Sequence, residues 1–579
     1  MAKNKVTYFG KVFFYIKKEK IFFILGLMIT ILISISRLID PLILAHIVDK
    51  TIPSGSTKDL LKFSLIFVIV ILLSGFLTYI QNIIFAKLGL KLITRLKMDL
   101  FSHMLKLPVK FFDTKKVGEL IARVESDGER VKQLFSNQMI MIFGNILFFV
   151  GMIVVLLMKN SFITLILLIP LSFVFVLSLL LIKYLTKFFK KVRELYAELS
   201  AQLTEFTQGM MVIQLFNREE KIKKTVENKS KEKFNVETKT SFIEYSFWSL
   251  QTFFVETLFI IIVILLVSPK IISGVLTLGT LVIFIQYGLR LFEPMMQIAE
   301  NFNMFQRAFV SLQRIFNIME NDDESTSSGV KKIFGLERDI VFENVSFSYK
   351  EGEGVLKNLS FKIKKGEKVA FVGPSGSGKT TTANLLLGFY KDYKGKILID
   401  GVELREYELK SLRELFSYIP QEGIIFPGDV LENVRLYDEK ISEEVVKRSV
   451  KDVYGDSLLY NEFGIYREIK EKGRNISSGE KQLINLARVL VFSKASVVIM
   501  DEATSSIDEM TEQKIIDALD RILENKTSII IAHRLSTVIN CDKIFLFDDG
   551  RIIASGTHNQ LIETSEEYRK IVSQHILKE

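Results

Sequence analysis

The stretch EKVAFVGPSGSGKTTTANLLLGF (367–389) reads in three pieces. EKVAFV is a short strand-like apolar run, GPSGSGKT (373–380) is a glycine-rich loop ending in Lys-Thr, and TTANLLLGF is helical in character. Strand, loop and helix in that order fit the G-x-x-x-x-G-K-[ST] phosphate-binding pattern. Glycines let backbone N–H groups wrap phosphate oxygens, Lys379 reaches the β- and γ-phosphates, and the Thr380 hydroxyl suits Mg²⁺. The flanking strand and helix set the match apart from a chance occurrence, and an α/β nucleotide-binding domain is expected around it.

Other motifs follow in order. SVVIMDE (496–502) is a buried strand ending in two acids. Asp501 at its end suits Mg²⁺ held through water, and Glu502 suits polarising an attacking water. IIIAHRLS (529–536) closes another apolar strand on His533, which alone is more often a structural histidine but here suits the γ-phosphate. Gln421 in YIPQEG (418–423) means little by itself.

The 579-residue chain is too long for one hydrophobic core. Its mean hydropathy is +0.28 although 25% of its residues are charged, so apolar and charged residues are segregated along it. The apolar runs lie in the first half: 21–36 continuing to 48, 63–86, 133–158, 160–182, 245–269 and 271–289. A span takes about 20 residues, and a buried core helix explains any one of these runs but not six. Residues 1–20 hold six Lys and one Glu, and the long connections 87–132 and 183–244 are rich in Lys and Arg. The positive-inside rule then puts the N-terminus and those connections in the cytoplasm. The same rule explains the net charge of +10 better than nucleic acid does. Both connections have helical periodicity and are expected to extend the spans by roughly 30 Å. The single cysteine, Cys541, excludes an intrachain disulfide, and the five histidines show no metal spacing. The polar linker NDDESTSSGVKK (321–332) marks the boundary. The expected organisation is a membrane domain over 1–320, a linker over 321–336 and a nucleotide-binding domain over 337–579.

Taken together, these motifs resemble the ATP-binding domain of ABC transporters, over residues 337–570. Tyr349 in VSFSY matches the aromatic that stacks on adenine. Residues Gly373, Pro374, Ser375, Gly376, Ser377, Gly378, Lys379 and Thr380 match Walker A, with Thr381 next to them. Gln421 matches the Q-loop, Asp501 and Glu502 match Walker B and the catalytic glutamate, Asp508 in SSID matches the D-loop, and His533 matches the switch histidine. The resemblance implies ATP as the nucleotide and Mg²⁺ held by Thr380, Gln421 and Asp501, partly through water. The first half is similar to the six-helix exporter-type membrane domain with long cytoplasmic extensions. In it, LPVKFFDTKKVGELIARV (107–124) and LFNREE (215–220) resemble the two coupling segments, while Glu471 in KEKGRN (470–475) occupies the acidic position of the loop that meets the membrane domain.

NISSGEKQL (475–483) matches the signature, normally LSGGQ, with two departures. Ser477 and Gly479 are kept, whereas Ser478 replaces a glycine and Glu480 a glutamine. In this family each ATP lies between Walker A of one half and the signature of the other. A half with Walker A, Glu502 and His533 intact but an altered signature resembles one side of a heterodimeric exporter. A heterodimer is therefore preferred over a homodimer that tolerates Ser478. The resemblance implies ATP-driven export of a hydrophobic or amphipathic, drug- or lipid-like substrate, and the heavy use of Lys, Ile, Phe and Asn with the compact half-size design points to a bacterial cell membrane. The other reading is an ATP-gated channel or regulatory subunit on the same scaffold. Charges inside spans are functional candidates by default. Arg37 and Asp40 interrupt the first span, Glu256 the fifth, and Arg290 and Glu293 lie on the sixth. Glu256 is expected either to face the cavity and favour cationic amphiphiles or to serve as a structural partner.

Overall fold

The computed structural model describes residues 10–11, 13–350, 352–421, 423–454, 464–492, 495–501, 509–532 and 535–576. The chain divides into two compact units, Met1–Leu105 with Val117–Asn321, and Lys106–Lys116 with Asp322–Glu579.

The first unit is helical. Lys20–Thr51, Thr57–Met104, Val117–Lys159 and Ser161–Gln208 are each long and apolar enough to cross a membrane. At 1.5 Å per residue the 48-residue helices Thr57–Met104 and Ser161–Gln208 are about 72 Å long, well beyond a hydrocarbon layer of about 30 Å. Their far ends are polar, as the extensions require. The fifth expected span falls on Glu219–Thr252, which passes through a π-helical turn at Phe253–Leu258 into the apolar helix Phe259–Ile272. The sixth falls on Leu278–Met319, whose apolar run is broken by Arg290 and Glu293. Length and composition among the described residues thus support four spans, not the full six.

The helices start where side chains can take up free backbone N–H groups. Ser56 accepts from the N–H of Asp59, Asn160 from Ile163, and Thr277 from Thr280. At Leu278–Met319 the start is shared, because Asp49 accepts from both the Thr277 hydroxyl and the Gly279 N–H, each at 2.6 Å. Apolar packing then joins the third to sixth helices around Met152, Leu167, Val263, Phe284 and Tyr287. A Cβ on Gly288 would lie 1.9 Å from the Phe259 ring, so a side chain there would push these helices apart.

In the second unit, β1 (Asp339–Phe347), β2 (Leu356–Lys364), β4 (Lys394–Ile399) and β5 (Val402–Glu403) make an antiparallel sheet in the order β2-β1-β4-β5. β7 (Gly428–Asp429) and β8 (Glu468–Ile469) form a separate two-stranded ribbon. A six-stranded sheet comprises β3 (Lys368–Val372), β6 (Phe416–Ile419), β9 (Val497–Asp501), β10 (Thr527–Ile531), β11 (Lys543–Asp548) and β12 (Arg551–Gly556), in the order β12-β11-β3-β10-β9-β6. All of its pairings are parallel except β11 with β12. Strands β9 and β10 are buried throughout, as a parallel sheet covered on both faces requires. Helical membrane domain and α/β domain therefore follow one another as expected.

Asn433 pins one loop of this unit. It is fully buried, accepts from the Phe426 N–H and donates to the Phe426 and Asp429 carbonyls, all at 2.8–2.9 Å. Asn433→Ala leaves those groups unpaired and is expected to cost about 1–3 kcal/mol, read as a fall of several degrees in the thermal midpoint. Burial also pushes the Cys541 thiol up to about 11. At pH 8 the thiol stays protonated, so maleimide should label it only after denaturation, and rapid labelling of folded protein would contradict this packing.

Candidate functional site

The phosphate-binding loop joins β3 to the helix Lys379–Leu386. Gly373, Gly376 and Gly378 have φ of +152°, +82° and +102°, a region L side chains avoid. Space is also short: a Cβ on Gly373 would sit 2.1 Å from the Phe547 carbonyl oxygen. Lys379 is 5% exposed, and its ammonium donates to the carbonyls of Gly373 and Pro374 at 2.7 and 2.8 Å. Register places Asp501 of β9 level with Ile531 of β10, which in turn pairs with Phe371 of β3. The Thr380 hydroxyl consequently meets Asp501, donating to its Oδ2 at 3.0 Å. Two hard oxygen donors at the loop's helix start form a fitting donor set for a hydrated Mg²⁺. Ser375 is exposed and Ser377 buried in the loop turn.

Tyr349 is 42% exposed, and its hydroxyl lies 3.2 Å from Thr381 Oγ1. Its ring meets Tyr390 edge-on at 5.1 Å. Tyr390 in turn donates to Asp113 on the short helix Val109–Thr114, which is part of the same compact unit. Lys110 of that helix pairs with Asp392 at 2.5 Å. The first expected coupling segment is therefore linked through Tyr390 to Tyr349, the residue expected to stack on adenine, a connection the sequence did not reveal. Glu502, Asp508 and His533 lie outside the described residues.

The signature forms a helix start. Ser477 caps the helix Ser478–Val491, its hydroxyl accepting from the Glu480 N–H at 3.1 Å while Glu480 accepts from the Ser477 N–H at 2.8 Å. This reciprocal capping box needs Glu or Gln at the third helical position, so Glu480 fills the role glutamine would. Its second oxygen takes Arg467 at 2.5 Å. Ser478 is exposed at the first helical position and is absent from the positive-φ residues, so its Cβ carries no backbone strain. Gly479 is buried beneath it.

Three polar residues on the buried face of this helix were missed in the sequence. Gln482 donates to the Gln421 carbonyl at 2.6 Å, and Arg488 donates to the carbonyls of Ile424 at 3.2 Å and Asn433 at 3.0 Å. Asn485 lies against Gly423, where a Cβ would come within 2.0 Å of its Nδ2. Their i, i+3, i+6 spacing among buried apolar residues was the available signal. They clamp the segment carrying Gln421 onto the signature helix.

The intramembrane charges divide. Asp40 and Arg290 lie 3.8 Å apart, and Tyr287 donates to the Leu38 carbonyl beside them. Arg37 and Glu293 instead line a cavity of about 580 Å³ with Gln81, Asn82, Asn145 and Gln297. Glu256 belongs to the π-helical turn, but its side chain lies outside the described residues.

Comparison with known proteins matches residues 23–295 to the ABC transporter transmembrane region and residues 356–505 to the ABC transporter family. The chain is 30% identical over 578 residues to the uncharacterized ABC transporter ATP-binding protein YfiC of Bacillus subtilis, covering 97% of this chain and 93% of that protein. It is 31% identical to the probable multidrug resistance ABC transporter ATP-binding/permease protein YheH of the same organism, covering 86% and 74%. It is also 31% identical to the multidrug resistance-like ATP-binding protein MdlB of Buchnera aphidicola, covering 96% of each.

The capping box gives a separable prediction. Glu480→Gln keeps both bonds of the box and should hold the thermal midpoint within about 1 °C, whereas Glu480→Ala keeps the Ser477 hydroxyl bond to the residue-480 N–H but loses the side-chain bond to the Ser477 N–H, at a cost of about 0.5–1.5 kcal/mol. Equal midpoints for the two variants would show that the side-chain bond contributes nothing.

Proposed function

The chain belongs to the ABC transporter family, and on that premise we propose that it is one half of an exporter that moves an amphipathic, drug- or lipid-like substrate out of a bacterial cell. It is a multi-pass membrane protein whose ATPase domain drives transport. The observation that carries the proposal is the fusion, in one chain, of long apolar helices to a glycine loop that buries Lys379 and brings Thr380 to Asp501. The multidrug names of YheH and MdlB favour amphipathic cargo.

Lys379 holds the β- and γ-phosphates, and Tyr349 stacks on the base. Thr380 and Asp501, with Gln421, would hold Mg²⁺, which would neutralise charge at the phosphates. Glu502 accepts a proton from the attacking water, and His533 holds the γ-phosphate. The Tyr349–Tyr390–Asp113 link passes nucleotide occupancy to Val109–Thr114. The second coupling segment, Met210–Leu215 with the residues after it, exposes Met211, Val212, Leu215 and Phe216. Such an apolar tip calls for a second half. We favour a different chain as that half, because Glu502 and His533 are kept while Ser478 departs from the family signature.

The test is the ATPase rate of this chain alone in lipid nanodiscs, beside its Glu502→Gln variant. The proposal expects little turnover from wild type alone and at least a tenfold rise on adding a second half with an intact LSGGQ. Sustained Glu502-dependent turnover as a homodimer would overturn the heterodimer reading and leave the exporter reading standing. Tyr390→Phe should keep ATP affinity within about threefold while lowering substrate-stimulated turnover, whereas a merely structural Tyr390 would leave that stimulation unchanged.

A further inference from the structure

Two cavities in the helical unit adjoin one another. The first, of about 370 Å³, is almost wholly apolar and lies between Ser161–Gln208 and the fifth helical segment, lined by Pro170, Phe173, Leu177, Phe254 and Ile262 among others. The second, of about 650 Å³, is lined from four helices and carries Arg130, Arg193, Arg307 and Arg314 against Glu244. Phe247 lines both. At their junction the buried Ser178 hydroxyl, which lines the basic cavity, is 3.3 Å from Oε1 of Gln251, which lines the apolar one.

The arginines are not equivalent. Asp127, 1% exposed, lies behind the basic cavity and takes Arg130 at 3.2 Å and Arg314 at 3.7 Å, with Arg123 on its other oxygen. Ser311 donates to it at 2.8 Å. Arg193 and Arg307 have no ion pair among the described residues, and neither does Glu244. The cavity therefore keeps an excess of positive charge after its internal pairs are formed. From Leu177 to Arg193 is sixteen residues, about 24 Å of helix, close to the length of one lipid leaflet.

We propose that these cavities form one site for an anionic amphiphile, and that this is the class of substrate the chain exports. Arg193 and Arg307 hold a carboxylate or phosphate headgroup by paired N–H donors, and the apolar cavity takes the alkyl chain. Basic pockets between membrane helices on the cytoplasmic side recognise acidic headgroups in this way. The charge is opposite to the cationic preference that Glu256 alone suggested. This inference rests on the exporter reading above.

Trp248, the only tryptophan of the chain, lines the basic cavity and gives a direct readout of binding. The full chain, in nanodiscs of zwitterionic lipid, is titrated without ATP with 9,10-dibromostearate and with the trimethylammonium amphiphile bearing the same brominated chain. The proposal expects saturable quenching of Trp248 by the anion at concentrations at least tenfold below those the cation needs. Arg193→Gln with Arg307→Gln should weaken the anion at least tenfold and leave the cation within twofold. Asp127 and its partners are untouched in that variant, and an unchanged thermal midpoint checks its folding. Equal quenching by the two amphiphiles, or no loss in the double variant, overturns the proposal. Anion binding that neither stimulates ATPase of the assembled transporter nor leads to transport overturns it as cargo and identifies a resident lipid instead. Quenching is read without hydrolysis, so loss of Glu502-dependent turnover would count against the exporter reading and not against the site.

Discussion

The buried ammonium of Lys379 is the constraint around which the ATP-binding domain is arranged. A charge out of water is tolerated only when dipoles or counter-charges replace its hydration. Here the carbonyls of Gly373 and Pro374 do so, with the Ser377 hydroxyl at 3.5 Å. Turning carbonyls inward and N–H groups toward a phosphate forces the loop through backbone angles that three glycines alone supply. The loop can hold that shape because β3 is clamped in parallel register between β10 and β11. The same register delivers Asp501 to Thr380 without any further device.

The membrane unit answers to a different solvent. Its apolar surface is largely exposed along Thr57–Met104 and Ser161–Gln208, as lipid contact allows, and polar contacts tie its helices to one another. Asp49 shows the economy of this arrangement: one carboxylate at the end of the first helix satisfies the start of the last. Asp127 does the same work among arginines of the extensions. The contacts of Asp127 with Arg314 and Ser311, like those of Asp49, join elements far apart in sequence, which is what fixes helices that hydrophobic burial alone would leave free to slide.

Much of this was legible because local chemistry decided it. The glycine loop needs glycines, β9 and β10 are continuous apolar runs, and the first four spans stand out by hydropathy. Other features depend on contacts between distant residues. Hydropathy falters on Leu278–Met319 at Arg290 and Glu293, and only the structure shows that Asp40 on another helix accommodates Arg290. Nothing in LPVKFFDTKKVGELIARV announces that Asp113 meets Tyr390. Arg193 and Arg307 were absorbed into the general surplus of positive charge in cytoplasmic segments, and only the cavity separates them from it. Gln482, Asn485 and Arg488 were hidden in an otherwise apolar helix face.

The altered signature shows how a structural answer narrows a functional question. If Ser478 strained the backbone or Glu480 lost a bond that glutamine makes, the departures would read as decay. Neither holds. Ser478 occupies a right-handed first helical position, and Glu480 completes the capping box while adding an ion pair with Arg467. A carboxylate in the first turn is also favoured by the helix dipole more than a neutral amide is. The start of this helix is thus well made for its own fold. What it loses is at its open face, where Ser478 adds bulk and a hydroxyl, and where the nearby carboxylate of Glu480 is less welcoming to phosphate than an amide would be. In the proposed pair of halves, the consequence of NISSGEKQL falls on the nucleotide bound by the other half, and it is there that an asymmetry would arise.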